Sequence, residues 1–224
     1  MSTVRPCPDH DTIDRARAEA TAWLDQDPDP VTRAELRAVL AALPASAPDL
    51  VDRFAGRLRF GTAGLRGQLR AGPNGMNLAV VTAAAAGLVA WLDANGAVGP
   101  VVIGYDARYG STDFAEQTAR VVTGSGRAAL VLPGPLPTPV LANAVRRLAA
   151  AAGVMVTASH NPPQDNGYKV YLGEQLGGPA GAGAQLVEPA DAEIEAAIAA
   201  VGPLSAVRLG DTGVRLDASV VDEY

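Results

Sequence analysis

The sequence predicts an α/β fold, in which a mostly parallel sheet carries helices on both faces and follows a helical segment. The first observation is alternation, because short apolar runs and helical segments succeed one another between residues 77 and 201. Such alternation is typical of parallel strands joined by crossover helices. The second is length, since 224 residues suffice for one full α/β domain with an attached segment. The third is composition: 48% hydrophobic and 19% charged residues are the balance of a globular chain.

The first part of the chain, residues 1–55, is the predicted helical segment. Apolar residues recur at helical spacing over 13–24. A second helix is predicted to follow Thr32, which would be its N-cap residue, and to end at residue 43. Glu35, three residues later, completes the pattern of a capping box.

The main predicted domain spans residues 56–203. Its glycine-rich beginning, 60–75, is expected to be a loop, and residues 77–95 a long apolar helix. Residues 173–182, rich in glycine and alanine, are expected to be a flexible insertion. The remaining predicted elements are strands at 101–104, 128–132, 153–157 and 168–172, and helices at 113–123, 138–150 and 189–201.

The end of the chain, residues 204–224, is polar and shows no regular pattern. It is therefore predicted to be an irregular linker that leads toward a second domain.

Charge, cysteine content and hydropathy exclude several classes of protein. The net charge of −6 and the absence of a basic run argue against a nucleic-acid partner. Cys7 is the only cysteine, which excludes an internal disulfide and fits a reducing cytosol. The N-terminus has no apolar signal core, and the longest apolar run, within 78–92, is too short for a membrane span. A cytoplasmic protein without a membrane partner is expected.

The most informative segment for function is 157–169, which follows a predicted strand. Ligands of parallel sheets bind beyond the carboxyl ends of the strands, and Ser159 lies in that position. A turn at Asn166-Gly167 is predicted to bring Lys169, the only lysine, back along the next strand. A nucleophile and a proton acceptor would then face one pocket. On residues alone, a surface turn with a solvated lysine is the favoured interpretation.

Three motifs carry a family resemblance. Ser-His-Asn-Pro at 159–162 precedes Asn-Gly-Tyr-Lys at 166–169, Phe-Gly-Thr-Ala-Gly-Leu-Arg-Gly occupies 60–67, and Gly-Tyr-Asp-Ala-Arg occupies 104–108. In this order they resemble domain I of the α-D-phosphohexomutases, which include phosphoglucomutases and phosphomannomutases. The helical lead-in with Trp-Leu-Asp at 23–25 is similar to the phosphopentomutase-like branch. The resemblance covers roughly residues 23–224.

The resemblance implies a phosphosugar mutase, which moves a phosphoryl group between two positions of a sugar through a bisphosphate intermediate. Ser159 would be the phosphoserine, and its phosphate would also be a ligand of Mg²⁺. Lys169 would act as general acid and base on the sugar hydroxyl, and Arg66 would help to hold the charged intermediate. Asn161 would contribute to substrate binding together with Arg66 and Lys169. His160 is a catalytic candidate by resemblance, with a purely structural histidine as the alternative.

Two further expectations follow from the resemblance. A sugar 1,6-bisphosphate is expected as activator and a sugar phosphate as substrate, with glucose, mannose and pentose all open. Asp106 and Arg108 are expected to form a structural ion pair at a strand end.

The family's Asp-Gly-Asp-x-Asp-Arg metal loop and its later domains are missing from the sequence. The remaining Mg²⁺ ligands are therefore expected outside this chain, which would need C-terminal domains to complete the cleft.

There are three alternatives to a phosphosugar mutase. A non-catalytic sugar-phosphate-binding remnant, or an inactive fragment, is consistent with the missing metal loop. A serine hydrolase is disfavoured, because Ser159 lacks the Gly-x-Ser-x-Gly context and His160 is its direct neighbour. A nucleotide-binding module is disfavoured, because neither phosphate-loop glycine motif is present.

Overall fold

A computed structural model of the protein describes residues 8–224, and Cys7 lies outside them. The helices are α1 (His10–Gln26), α2 (Pro30–Ala41), α3 (Ala47–Arg53), α4 (Leu78–Ala94), α5 (Ser111–Gly124), α6 (Thr138–Arg147), α7 (Glu174–Gly181), α8 (Ala190–Ala199) and α9 (Ser219–Asp222). The strands are β1 (Leu65–Gln68), β2 (Val101–Tyr105), β3 (Ala129–Val131), β4 (Ala152–Val156), β5 (Asp165–Leu172) and β6 (Val214–Arg215). A short 3₁₀ helix covers Leu204–Ala206.

The strands form one mixed sheet in the order β1-β5-β4-β2-β3-β6. Its part from β4 to β6 is parallel, as the sequence predicted. The other part is antiparallel, because β5 pairs with both β4 and β1 in that sense. The reason is the connection from β4 to β5, which spans only residues 157–164 and is too short for a parallel crossover.

Helices cover both faces of the sheet, which confirms the predicted α/β class. Successive strand residues point to opposite faces, so Val154 and Met155 of β4 belong to two different apolar clusters. The Val154 side packs against α4, α5 and α8, and the Met155 side against α6 and α9.

Helix α4 is apolar around most of its circumference because it lies between α5 and α8. Asn77 caps it, since its side-chain oxygen accepts a hydrogen bond from the Val80 N–H at 3.0 Å. The hydroxyl of Thr82 accepts a hydrogen bond from Gln117 of α5 at 2.8 Å within this buried interface. Among residues 8–224, no helix is both long and apolar enough to cross a membrane.

The N-terminal helices α1–α3 pack around their own small core. All three lie within the segment 1–55 that was predicted to be helical. Arg53 ties this core to the rest of the domain. Its buried guanidinium pairs with Glu35 and Asp49 and donates a hydrogen bond to the Ala71 carbonyl at 3.1 Å.

The predicted capping box at the start of α2 is wrong. The helix begins three residues earlier, and Asp29 caps it by accepting a hydrogen bond from the Val31 N–H at 2.8 Å. Thr32 donates instead to the Asp27 carboxylate at 2.7 Å. Glu35 is occupied elsewhere, because its carboxylate binds the guanidinium of α3. An aspartate directly before a proline at the first helical position was the stronger start signal.

Several predicted irregular segments contain regular structure. The loop expected at 60–75 includes β1, and the expected turn at Asn166-Gly167 lies inside β5. The expected flexible insertion at 173–182 contains α7, which is kinked at Gly178. Residues 204–224 are not irregular throughout, since β6 extends the sheet and Val220 of α9 is buried. These elements are short, and their partners lie far away in the sequence.

Gly64 shows how closely the segment before β1 approaches β5. Its φ is +75°, and a Cβ atom built there would lie 2.0 Å from the Tyr168 carbonyl oxygen. Both features require glycine, because a side chain would be strained by the backbone conformation and would overlap a buried strand.

We therefore expect Gly64→Ala to destabilise the domain by at least about 2 kcal/mol. Gly61→Ala is the matched control in the same loop, because nothing lies within 4 Å of its Cβ position. The control should change stability by no more than about 0.5 kcal/mol. Urea unfolding followed by tryptophan fluorescence measures both. Equal stabilities of the two variants would contradict the close approach.

Candidate active site

The candidate site lies where β4 ends and β5 begins. Strand β4, with the sequence Ala-Gly-Val-Met-Val, is buried and ends at Val156. Ser159 lies three residues later, is exposed and has a left-handed φ of +58°. Its N–H donates to the Thr157 hydroxyl at 2.9 Å. A non-glycine residue in this backbone region is uncommon and strained, and such strain is often kept at functional positions.

Lys169 reaches the serine from β5. The antiparallel pairing of β5 with β4 places Lys169 beside Met155, four residues before the serine. The Lys169 Nζ donates to the Ser159 Oγ at 2.8 Å. The nucleophile and the amine predicted from the sequence are therefore in direct contact.

The protonated form of the Lys169 amine is less favoured than that of a solvated lysine. Partial burial lowers the pKa of Lys169 below its ordinary value, and the positive charge of Arg66 lowers it further. The neutral amine, which can accept a proton, is thus more populated near neutral pH than in a solvated lysine.

Arg66 enters the site from the sheet edge, because β1 pairs it with Gly167 of β5. Its Nη1 donates to the Asn161 Oδ1 at 3.0 Å. The Asn161 Nδ2 donates in turn to the Asp165 carboxylate at 2.9 Å. Arg66 is thus brought to the serine loop, residues 157–165, which contains Asn161; both residues were predicted from the sequence.

His160 is placed differently from the other candidates. Its side chain is exposed, and within residues 8–224 it has no hydrogen bond or ion pair. A catalytic role for His160 stays a prediction.

The strand-end motif contains the expected ion pair, with Arg108 Nε 3.3 Å from an Asp106 carboxylate oxygen. Three contacts were missed from the sequence. Arg108 also donates to the Ser159 carbonyl at 2.7 Å. Ser111 donates to Asp106 at 2.7 Å and accepts from Asn166 at 2.9 Å. The available signal was the pair of prolines after Asn161, which leaves carbonyl groups without nearby backbone donors.

The described residues do not fit a complete magnesium site. Within the range 8–224, no three His, Cys, Asp or Glu side chains are grouped so that they could hold a metal ion. Mg²⁺ favours octahedral oxygen coordination that includes carboxylates. The one carboxylate of the serine loop, Asp165, is already hydrogen-bonded to Asn161.

The family model described as phosphoglucomutase/phosphomannomutase, alpha/beta/alpha domain I, matches residues 57–203. The chain belongs to this family. A protein from Haemophilus influenzae named "Probable phosphomannomutase" is 48% identical over 152 residues, which cover 67% of this chain and 30% of that protein. The phosphoribomutase of Saccharomyces cerevisiae is 38% identical over 180 residues, with coverages of 79% and 27%.

Solved structures of the family agree with the fold. A structure from Thermus thermophilus, whose name includes phosphomannomutase, has a TM-score of 0.61 and 34% identity. The match covers 72% of this chain and 33% of that one. The chain therefore spans about a third of the length of the family members it matches.

The charge on Arg66 provides a test of the site's electrostatics. We expect Arg66→Gln to raise the pKa of Lys169, because it removes a neighbouring positive charge. Arg120→Gln, on the exposed side of α5, is the control and should leave that pKa unchanged. Reductive methylation with ¹³C-formaldehyde gives one ε-amine signal, since Lys169 is the only lysine, and its pH titration yields the pKa. An unchanged pKa in Arg66→Gln would contradict the arrangement.

Proposed function

We propose that this chain is the phosphoryl-carrying domain of a phosphosugar mutase, with Ser159 as carrier. The observation that supports the proposal best is the 2.8 Å contact between Lys169 Nζ and Ser159 Oγ. A nucleophile within hydrogen-bond distance of an amine with a lowered pKa is the arrangement that nucleophilic phosphoryl transfer requires.

The reaction follows from this contact. In one direction, the Ser159 Oγ attacks a phosphoryl group of a sugar bisphosphate, an Oγ–P bond forms, and the sugar O–P bond breaks. Lys169 accepts the hydroxyl proton and returns it to the departing sugar oxygen. In the other direction, Lys169 takes a proton from a sugar hydroxyl, whose oxygen attacks the phosphoserine; a sugar O–P bond forms, the Oγ–P bond breaks, and Lys169 returns the proton to the Ser159 Oγ. The two directions, applied to different hydroxyls, move the phosphoryl group along the sugar.

Arg66 and Asn161 have supporting roles in this proposal. The guanidinium of Arg66 is planar and suited to phosphate oxygens, and its neighbour Lys169 supplies a second positive group. The Asn161 amide fixes Arg66 at 3.0 Å, so that the arginine is oriented before substrate arrives. A fixed cationic group stabilises the charge that is spread over the transferring phosphoryl group.

Magnesium, a sugar 1,6-bisphosphate activator and a cytoplasmic location remain parts of the proposal. The residues described here do not supply a magnesium site, so no step above uses the ion. The sugar is not assigned, because family members carry the names phosphomannomutase, phosphoribomutase and phosphopentomutase.

A second candidate is a domain that binds sugar phosphates without catalysis. The lack of a metal-binding group within residues 8–224 favours it. The two candidates differ in a single property, which is whether Ser159 takes up a phosphoryl group.

We expect the chain, incubated with glucose 1,6-bisphosphate, to take up one phosphoryl group on Ser159, because Lys169 activates that hydroxyl. Intact-mass measurement counts the group and peptide mapping locates it. Ser159→Ala should take up none, whereas the exposed Ser205→Ala should behave as the parent. Binding of the bisphosphate without uptake would support the non-catalytic candidate. Uptake on Thr157 or Ser111 would contradict the assignment of the carrier.

The role of Lys169 is tested by Lys169→Arg in the same assay. An arginine side chain keeps the positive charge, but its pKa above about 12 prevents it from accepting a proton. We expect uptake to slow by about 10²–10⁴-fold, the usual loss when an acid–base group is removed. An uptake rate equal to that of the parent would mean that Lys169 supplies only charge.

A further inference from the structure

The serine loop has more backbone acceptors than its own backbone donors can satisfy. Residues 162 and 163 are both proline, and proline has no N–H group. Within the loop, the Asn161 N–H donates to the Ala158 carbonyl and the Asp165 N–H to the Pro162 carbonyl. The carbonyls of Ser159 and Asn161 receive no backbone donor from any described residue.

Arg108 supplies the missing donors. Its Nη2 donates to the Ser159 carbonyl at 2.7 Å and to the Asn161 carbonyl at 2.8 Å. Its Nη1 donates to the Pro162 carbonyl at 2.8 Å and to the Asp165 carbonyl at 3.2 Å. The Nε faces the Asp106 carboxylate at 3.3 Å. The two Nη atoms of the guanidinium thus donate four hydrogen bonds to the loop, and the Nε is ion-paired.

The guanidinium is itself held in place. Asp106 accepts a hydrogen bond from the Arg108 N–H at 3.0 Å and another from the Ser111 hydroxyl at 2.7 Å. Asn166 of β5 donates to that same hydroxyl at 2.9 Å. The end of β2, the start of α5 and the start of β5 thus converge on the arginine. Only 15% of its side chain is exposed.

We propose that Arg108 is the positioning residue that holds Ser159 in its left-handed conformation, with Oγ against Lys169. Its guanidinium is hydrogen-bonded to neither the reacting hydroxyl nor the amine, and it acts through the backbone carbonyls on either side of the turn. A lysine would be a poor substitute, because its three donors radiate from one nitrogen and cannot span four carbonyls. The proposal rests on the proposed function only in calling Ser159 the phosphoryl carrier.

Arg127 provides a matched control within the same domain. It is equally buried, with 12% of its side chain exposed, and it pairs with Asp93. It also donates to the carbonyls of Ala97 and Gly99, each at 2.9 Å. It precedes β3 and therefore lies at the opposite end of the sheet from the serine loop. A general loss of stability should be similar in both arginine variants.

The experiment compares Arg108→Gln with Arg127→Gln in the full 224-residue chain, and both variants keep a single lysine. Two properties are measured: the pKa of the ¹³C-methylated Lys169 amine and hydrogen exchange of the Ser159 amide, which donates to Thr157. In Arg108→Gln we expect amide exchange to become at least about tenfold faster, as expected for lost charge-assisted hydrogen bonds. The Lys169 pKa should rise, because the amine becomes better solvated. Arg127→Gln should change neither property.

Neither measurement depends on phosphoryl uptake, so failure of this proposal and failure of the proposed function can be distinguished. Unchanged exchange and pKa in Arg108→Gln, or equal changes in Arg127→Gln, would overturn the positioning role. If Arg108→Gln does not fold, Arg108→Lys serves in its place and amide exchange is the readout. Accelerated exchange confined to the serine loop would support the proposal, and parental exchange would overturn it.

Discussion

The short return of the chain from β4 to β5 is the constraint on which the site depends. Residues 157–164 must reverse direction within a few residues, so β5 can only run antiparallel to β4. This reversal fixes the register in which Lys169 pairs beside Met155, and that register brings the amine to the serine turn. It also places β5 between β4 and β1, which carries Arg66. A β5 strand parallel to β4 would instead begin at the opposite end of the sheet from the serine turn.

Side chains donate hydrogen bonds to several backbone carbonyls in the irregular segments of the domain. Asn77 caps α4 and also donates to the carbonyls of residues 70 and 72. Arg53 of α3 donates a hydrogen bond to the carbonyl of residue 71. Arg108 donates hydrogen bonds to carbonyls of the serine loop. Buried polar backbone groups without partners are costly, so each loop depends on one long side chain from a neighbouring element.

Much of the central architecture could be predicted from the sequence, because its signals are local. The apolar stretch of α4, with Asn77 before it and Asn95 after it, is visible in the residues themselves. The short strands β1 and β6 were missed, since four and two residues show no period and pair only after the chain has folded. In the site, Ser159 and Lys169 were predicted from their motif. The network around Arg108 was not, because its acceptors are carbonyls, whose only trace in the sequence is the Pro162-Pro163 pair, and that pair does not indicate which side chain is the donor.

The site joins parts of the chain that are distant in sequence. Arg66 and Asn161 are 95 residues apart, and Arg108 lies 51 residues before Ser159. Contacts of this separation carry a large loop-closure entropy and form late along a folding pathway. The serine and the lysine, by contrast, are ten residues apart and can meet once β4 and β5 pair. Arg66 and Arg108 join them only when the distant parts of the sheet have assembled, so the complete site, rather than the reactive pair alone, is a reporter of the native state.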